Sequence, residues 1–390
     1  METYHATTLL LLALGAFVIP LLSERIRIPA AVGEILFGIL IAEHGLGLIQ
    51  RSPFTSFLGH FGFAFLMFLA GMEIDFTKVE SLGKKGVALT AFISTAVFLL
   101  AFAVVVVFEQ PYFFILVLGS MSLGLVLVAL RDTGSGQSHM GQIILIVGSI
   151  GEFLSIILLT VTDLAVLHGF GTDLVWGLAK LGLVFVIAYV FLVVLRTLVW
   201  WYPEQFQRVV RSHDTAEIGV RLSFALMLGF IAASILMGVE MILGAFIAGA
   251  LMSFVFREKE AVEEKLSSFG FGFFVPIFFI EVGIGFDVVG VLQGEFIFDL
   301  FFLLIAGFFV RTAPMLLLPL LGLRWKESLA AGVALSAPLT LLVAISQVGL
   351  HAGLVEHDTA GAIVLYAIVG GILFPVLFRR IVGVNHAASG

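Results

Sequence analysis

The chain has 390 residues, enough for two or three soluble domains, yet 61% of them are hydrophobic, against roughly 45–50% in an ordinary globular protein. A soluble fold is excluded, and with only 12% charged residues and a net charge of −7 so is an extended phosphate-binding surface, and hence nucleic acid as a partner. The absence of Cys removes any disulfide framework, thiol nucleophile or thiolate metal site.

A spanning helix needs about 20 apolar residues to cross about 30 Å of hydrocarbon. The apolar runs predict thirteen such helices, at 6–23, 29–49, 54–73, 86–108, 111–130, 139–162, 174–199, 217–237, 239–256, 267–285, 294–320, 327–350 and 359–379. Most exceed a barrel strand of about 10 residues and show no inside–outside alternation. The chain therefore reads as an all-α polytopic membrane protein whose surroundings are the lipid bilayer. Its first run follows Met1-Glu2-Thr3-Tyr4-His5, which has no basic stretch, and passes Pro20 into Ser23-Glu24-Arg25 without a small-residue cleavage pattern, so it is expected to be a permanent span rather than a leader. Loops are short, and only Ile381 to Gly390 follow Arg379-Arg380, so no soluble regulatory domain is expected.

Sorting Lys and Arg by side tests the count. Seventeen of the 20 basic residues, from Arg25 to Arg380, fall on one side; Arg51 alone falls on the other, and Lys180 and Arg311 lie within spans. The expected orientation puts the N terminus outside and the C terminus in the cytoplasm.

An odd number of spans fits two inverted six-helix halves joined by one linker helix, an arrangement secondary transporters use. The fifth span holds Gly119-Ser120-Met121-Ser122-Leu123-Gly124 and the twelfth holds Leu335-Ser336-Ala337-Pro338-Leu339-Thr340. Such residues interrupt helical hydrogen bonding, and the freed carbonyls and helix ends can line an ion cavity; they can also simply allow close packing. Matched positions, with spans four to six repeating as eleven to thirteen, favour the ion path, for which Ser120, Ser122, Ser336 and Thr340 are the candidates.

Charge near the bilayer centre costs about 2.5–3.5 kcal/mol or more, so intramembrane ionisable residues are functional candidates. They are Glu34, Glu152, Glu281 and Arg311. Glu152 lies about 20 Å along the sixth span, between Gly151 and, three residues on, Ser155, which suggests a small-residue surface with a hydroxyl near the carboxylate. Burial favours the neutral acid and a neighbouring cation favours the carboxylate, so one group can exchange a proton for a metal ion. Arg311, in the eleventh span, needs either an exposed helix end or an anion such as Glu152, in a structural or a direct role. Glu281, toward the external end of span ten, and Glu34, in the inner part of span two, are funnel candidates for which structural pairing is the competing reading.

Enzymatic alternatives find no support. There is no His-Glu-x-x-His pair, and Gly283-x-Gly285-x-Asp287 ends at an external helix end with no mid-membrane Asp to match it.

Four segments, in order along nearly the whole chain, resemble the monovalent cation:proton antiporter-2 family, which includes Kef-type and related sodium/proton antiporters. They are Ser23–Gly38 (SERIRIPAAVGEILFG), Phe68–Asp75 (FLAGMEID), Leu243–Gly249 (LGAFIAG), and Phe273–Phe279 (FFVPIFF) followed by Val282-Gly283. The resemblance implies a thirteen-helix sodium/proton antiporter-like fold with crossed discontinuous helices and elevator-like alternating access. It also implies a homodimer whose scaffold is 1–85 and 217–293, an ion-translocating core of 86–168 and 294–382, and a linker helix in 169–216. The family's ion-binding carboxylate maps onto Glu152 and its basic residue onto Arg311. This sequence departs at Gly151, where the family carries a polar or acidic neighbour, so a single carboxylate and electroneutral exchange are expected. Family members often carry a nucleotide-sensing domain, which only a separate regulatory subunit could supply here.

The expected function is exchange of Na⁺ or K⁺ for protons in a prokaryotic-type inner membrane, with no cofactor and no enzymatic activity. Alternatives are a cation channel or non-transporting sensor on the same fold, or an antiporter of another solute for which Gly151 makes room.

Overall fold

The computed structural model describes residues 2–26, 28–43, 45–74, 76–136, 138–168, 171–201, 217–239, 241–256, 260–286 and 296–383. The linker stretch 202–216, the expected boundary at 293–294, Asp75 and Asp287 lie outside the described residues. All regular structure among those described is helical. In chain order it comprises α1 (Glu2–Ile26), α2 (Ala30–Ile41), α3 (Pro53–Met72), α4 (Phe76–Ser81), α5 (Gly83–Val107), α6 (Phe114–Gly119), α7 (Gly124–Asp132), α8 (His139–His168) and α9 (Thr172–Trp201). Then come α10 (Ile218–Leu236), α11 (Met241–Val255), α12 (Glu260–Phe269), a π-helical turn (Gly270–Phe274), α13 (Val275–Ile284), α14 (Phe296–Met315), a 3-10 turn (Leu318–Leu321), α15 (Trp325–Leu335), α16 (Leu339–His351) and α17 (His357–Val382).

Nine helices among the described residues are long and apolar enough to cross a membrane, and α15 with α16, bent by 40°, brings the number to ten if the pair is counted as one span. The apolar but shorter helices α2, α6 with α7, and α11 occupy the second, fifth and ninth predicted segments. The second prediction ran too far. Helix α2 stops at Ile41 because the chain doubles back: Leu46 and Leu48 donate to the Leu40 and Ile41 carbonyls, and the turn uses Gly47 at φ 66°, where a side chain would be strained.

Helix starts follow local chemistry. Pro29 precedes α2, and Ser52 caps α3 by accepting from the Thr55 amide while Thr55 Oγ1 accepts from the Ser52 amide, with Pro53 at the first helical position. Glu327 performs the return half of such a cap for α15, accepting from the Arg324 amide at 2.7 Å.

The chain divides into two compact units, Met1–Phe76 with Thr160–Gly285, and Thr77–Leu159 with Phe286–Gly390. Reciprocal glycines hold the first unit's helices at backbone contact. A Cβ at Gly38 of α2 would lie 2.1 Å from the Ile280 carbonyl oxygen of α13, and one at Gly283 of α13 would lie 2.1 Å from the Ile35 carbonyl oxygen. Gly71 and Gly249 do the same for α3 and α11. Water cannot drive association between lipid-embedded faces, so van der Waals contact of this kind is what joins them. The second unit contains both interrupted helices. Its interior carries fully buried polar groups, among them Ser94, Ser120, Ser155, Arg311 and Ser336, which must find partners internally.

Candidate ion-binding site

Helix α6 ends at Gly119, α7 begins at Gly124, and the four residues between them are not helical. The break frees the Leu123 amide, which donates to Glu152 Oε2 at 3.2 Å, and directs the Ser122 hydroxyl to Glu152 Oε1 at 3.1 Å. Glu152 itself lies mid-way along α8 and is 1% exposed. Both of its oxygens are thus held by one broken helix, a geometry that unbroken helix could not provide because its amides are already bonded.

The second broken helix joins through a hydroxyl. Thr340, at the start of α16, lies 2.6 Å from Ser122 Oγ. Since Ser122 donates its proton to Glu152, it accepts from Thr340, and a chain runs from Thr340 through Ser122 to the carboxylate. Around this point the oxygens brought together are those of the Glu152 carboxylate and the Ser122 and Thr340 hydroxyls. Among the described residues no group of three or more His, Cys, Asp or Glu is assembled. One negative charge among neutral oxygens suits a singly charged cation.

Arg311 takes the first of its two expected partners, the helix end. Its Nε donates to the Ser120 carbonyl at 2.7 Å, and Nη2 donates to the Val117 carbonyl at 2.9 Å and to Ser120 Oγ at 3.3 Å. Nη1 donates to the Gly307 carbonyl at 3.1 Å and the Tyr366 hydroxyl at 2.8 Å. All five guanidinium protons are therefore used on neutral oxygens, and the charge lies against the C-terminal end of α6, where the helix dipole is negative.

Other candidates sort differently. The Ser155 hydroxyl does not serve the carboxylate, as the spacing had suggested: it donates to the Gly151 carbonyl at 2.6 Å and accepts from the Met121 amide at 3.1 Å, pinning the unwound segment to α8. Ser336, the C-cap of α15, donates back to the Gly332 carbonyl at 2.7 Å, the four-residue back-bond common for serines of helices. Gly151 gives no open room for a larger solute. Its missing side chain is replaced by Met121, whose Cε would be 2.4 Å from a Cβ at that position.

Glu34 and Glu281 belong to the first unit. Glu281, 6% exposed, accepts from Arg51 Nε at 3.0 Å and from Ser56 Oγ at 3.2 Å, which is the structural pairing weighed against a funnel role. Glu34 is 3% exposed within α2. Sequence reasoning missed Tyr366 and Met121. A tyrosine inside the last apolar run was the available signal for the first, because a buried phenol needs a partner; nothing in the sequence marked the second.

The transmembrane sodium/hydrogen exchanger family model matches residues 12–382. A putative Na(+)/H(+) antiporter of Bacillus subtilis, YjbQ, is 31% identical over 398 residues, covering 96% of this chain and 62% of its own length. The chain thus spans less than two thirds of that relative. An Na(+)/H(+) antiporter of Enterococcus hirae is 25% identical over 368 residues, covering 92% of this chain and 93% of its own. The structure of the sodium proton antiporter MjNhaP1 from Methanocaldococcus jannaschii at pH 8 superposes with a TM-score of 0.69 at 15% identity, covering 97% of this chain and 96% of that one. The all-helical polytopic membrane fold is therefore the one seen in that structure.

Proposed function

The chain belongs to the sodium/hydrogen exchanger family, and from that premise we propose that it is a secondary transporter exchanging Na⁺ for H⁺ at Glu152 by alternating access. The observation that carries this reading is a fully buried carboxylate held by the unwound segment of one broken helix and linked through Ser122 to the other. In the cation-loaded state Glu152 is ionised and its charge is matched by the ion; in the return state a proton replaces the ion on the same oxygens. Ser122 can reverse its hydroxyl to accept from the protonated acid, with Thr340 turning in concert, while the Leu123 amide donates in both states.

One carboxylate carries one charge, and Arg311, with its donors occupied by carbonyls and hydroxyls, does not exchange protons. The stoichiometry that follows is one cation per proton, electrically neutral. Sodium is favoured because it is the cation named for both sequence relatives; potassium is the competing substrate.

The rest of the proposal follows the antiporter-2 resemblance of the four sequence segments. Thirteen spans form two inverted repeats about a linker helix, with the N terminus outside and the C terminus cytoplasmic in a prokaryotic-type inner membrane. The segments 86–168 and 294–382 serve as the ion-translocating core, and 1–85 with 217–293 serve as the dimerisation scaffold.

The deciding experiment compares the wild type with Glu152→Gln in proteoliposomes bearing an internal pH dye, using Li⁺, Na⁺, K⁺ and Rb⁺ in parallel. Glu152→Gln should abolish cation-driven proton movement while incorporating and unfolding like the wild type; undiminished exchange would sink the assignment. With the potential clamped by an ionophore, the wild-type rate should not respond to voltage.

A further inference from the structure

Arg311 and Tyr366 are both 0% exposed, and they rank first among the largest fully buried side chains. Their contact does not touch the ion site, yet it is one end of a continuous run of bonds to it. Tyr366, on α17, accepts from Arg311 Nη1 at 2.8 Å. Arg311, on α14, donates through Nε and Nη2 to the Ser120 and Val117 carbonyls. The Val117 carbonyl lies in the last turn of α6 and the Ser120 carbonyl just past its end, where the break takes away the helical donors that would follow. The next residues in the chain are Met121, Ser122 and Leu123, which hold Ser155 and both oxygens of Glu152.

The approach of the phenol to the guanidinium is built into α14. Gly307 sits one turn before Arg311, and a Cβ there would lie 2.2 Å from Tyr366 Oη and 2.8 Å from Arg311 Nη1. The bare glycine lets the hydroxyl reach the fork, while its own carbonyl takes the remaining Nη1 proton at 3.1 Å. The planar fork has no slack: with Nη1 fixed by Gly307 and Tyr366, the direction of Nε and Nη2 toward α6 is set as well.

We propose that Tyr366 is a positioning residue for the exchange reaction: its hydroxyl orients the Arg311 fork, which holds the unwound segment 120–123 in register with Glu152. This rests on the reading of Glu152 as the exchange site. Tyr366 does not touch the ion; it acts through Arg311.

The test uses the full chain in proteoliposomes, with wild type, Glu152→Gln, Tyr366→Phe and Gly307→Ala measured side by side. Tyr366→Phe keeps the ring and removes only the acceptor. A buried charged donor left without its partner loses enough to raise the apparent KM for Na⁺ about tenfold, while the maximal rate stays within about twofold, because the groups that move the proton are retained. Gly307→Ala should displace the hydroxyl and raise KM in the same direction; Tyr366→Phe should also unfold at a lower temperature, since a buried donor loses its partner, so the rise in KM is the readout that distinguishes positioning from packing. An unchanged KM in both variants, or a fall in rate and unfolding temperature in Tyr366→Phe with KM unmoved, would overturn the proposal and leave Tyr366 a packing residue. If Glu152→Gln still exchanges, the site reading fails and takes this inference with it. If Glu152→Gln is inert and Tyr366→Phe behaves as wild type, only the role of Tyr366 is lost.

Discussion

Met121 occupies its place beside Glu152 only because residue 151 has no side chain, and this gives a sharp test of the site's packing. A Cβ at Gly151 would lie 2.4 Å from Met121 Cε, 2.6 Å from Sδ and 3.1 Å from Met121 Cβ, against about 3.5–4.0 Å for favourable carbon contacts. The thioether end can swing aside. Met121 Cβ cannot follow easily, because the Met121 amide is fixed to Ser155 Oγ at 3.1 Å. Gly151→Ala should therefore lose about 1–3 kcal/mol by overpacking, outweighing the roughly 1 kcal/mol that alanine gains over glycine within a helix. Met121→Ala alone should lose about 2–5 kcal/mol through the cavity it leaves. In the double variant the new methyl enters the vacated space, so the pair should be about 1–3 kcal/mol more stable than the sum of the single changes. Denaturant unfolding of the four proteins in detergent micelles measures the cycle directly. Additivity within about 0.5 kcal/mol would refute the contact. The same relief has a functional reading: Gly151→Asp in the Met121→Ala background gives the site a second carboxylate, and exchange should then respond to membrane potential.

Two further outcomes bear on the reasoning. Thr340→Val keeps the shape but removes the hydroxyl that donates to Ser122; losing one buried hydrogen bond of about 0.5–1.5 kcal/mol should raise the apparent KM for Na⁺ by roughly two- to tenfold, read from the proton-efflux rate against sodium concentration, and an unchanged KM would remove Thr340 from the site. Glu281→Gln breaks the ion pair with Arg51, whose side chain is 42% exposed; it should cost about 1 kcal/mol or less of stability and leave exchange kinetics alone, whereas a large kinetic defect would restore Glu281 to the ion path.

What could be read from the sequence follows from which energies are large. Leaving backbone polar groups bare in lipid is so costly that apolar length locates most of the long helices: among the described residues nine predicted segments hold a helix long enough to span, one holds a bent pair, and three hold only shorter apolar helices. The breaks were legible for the same reason, since Gly-Ser-Met-Ser and Ser-Ala-Pro cannot continue a helix comfortably. The end of α2 was not, because Leu46, Leu48 and Ile49 are as apolar as helix residues and only the positive φ of Gly47 turns the chain. At the site, the cost of burying charge singled out Glu152 and Arg311. Their partners were invisible because hydroxyl direction depends on three-dimensional neighbours: Ser155 and Ser336, which sequence spacing offered to the ion, spend their protons on carbonyls four residues back.

That separation of partners explains how a fixed positive charge and a titrating negative one can share a core. Were Arg311 the counter-ion of Glu152, each protonation of the carboxylate would strand a buried guanidinium, and breaking a buried pair costs about 3–5 kcal/mol. Instead the guanidinium is held by the Val117, Ser120 and Gly307 carbonyls and the hydroxyls of Ser120 and Tyr366, none of which changes charge during the proposed cycle. Glu152 is left with donors only from a neutral amide and a neutral hydroxyl. Its charge can be matched by a sodium ion in one state and a proton in the next without altering the state of Arg311. In the proposed cycle the broken helix thus does two separate jobs: its carbonyl end holds the Arg311 cation, and its amide and hydroxyl side holds the carboxylate that exchanges its partner.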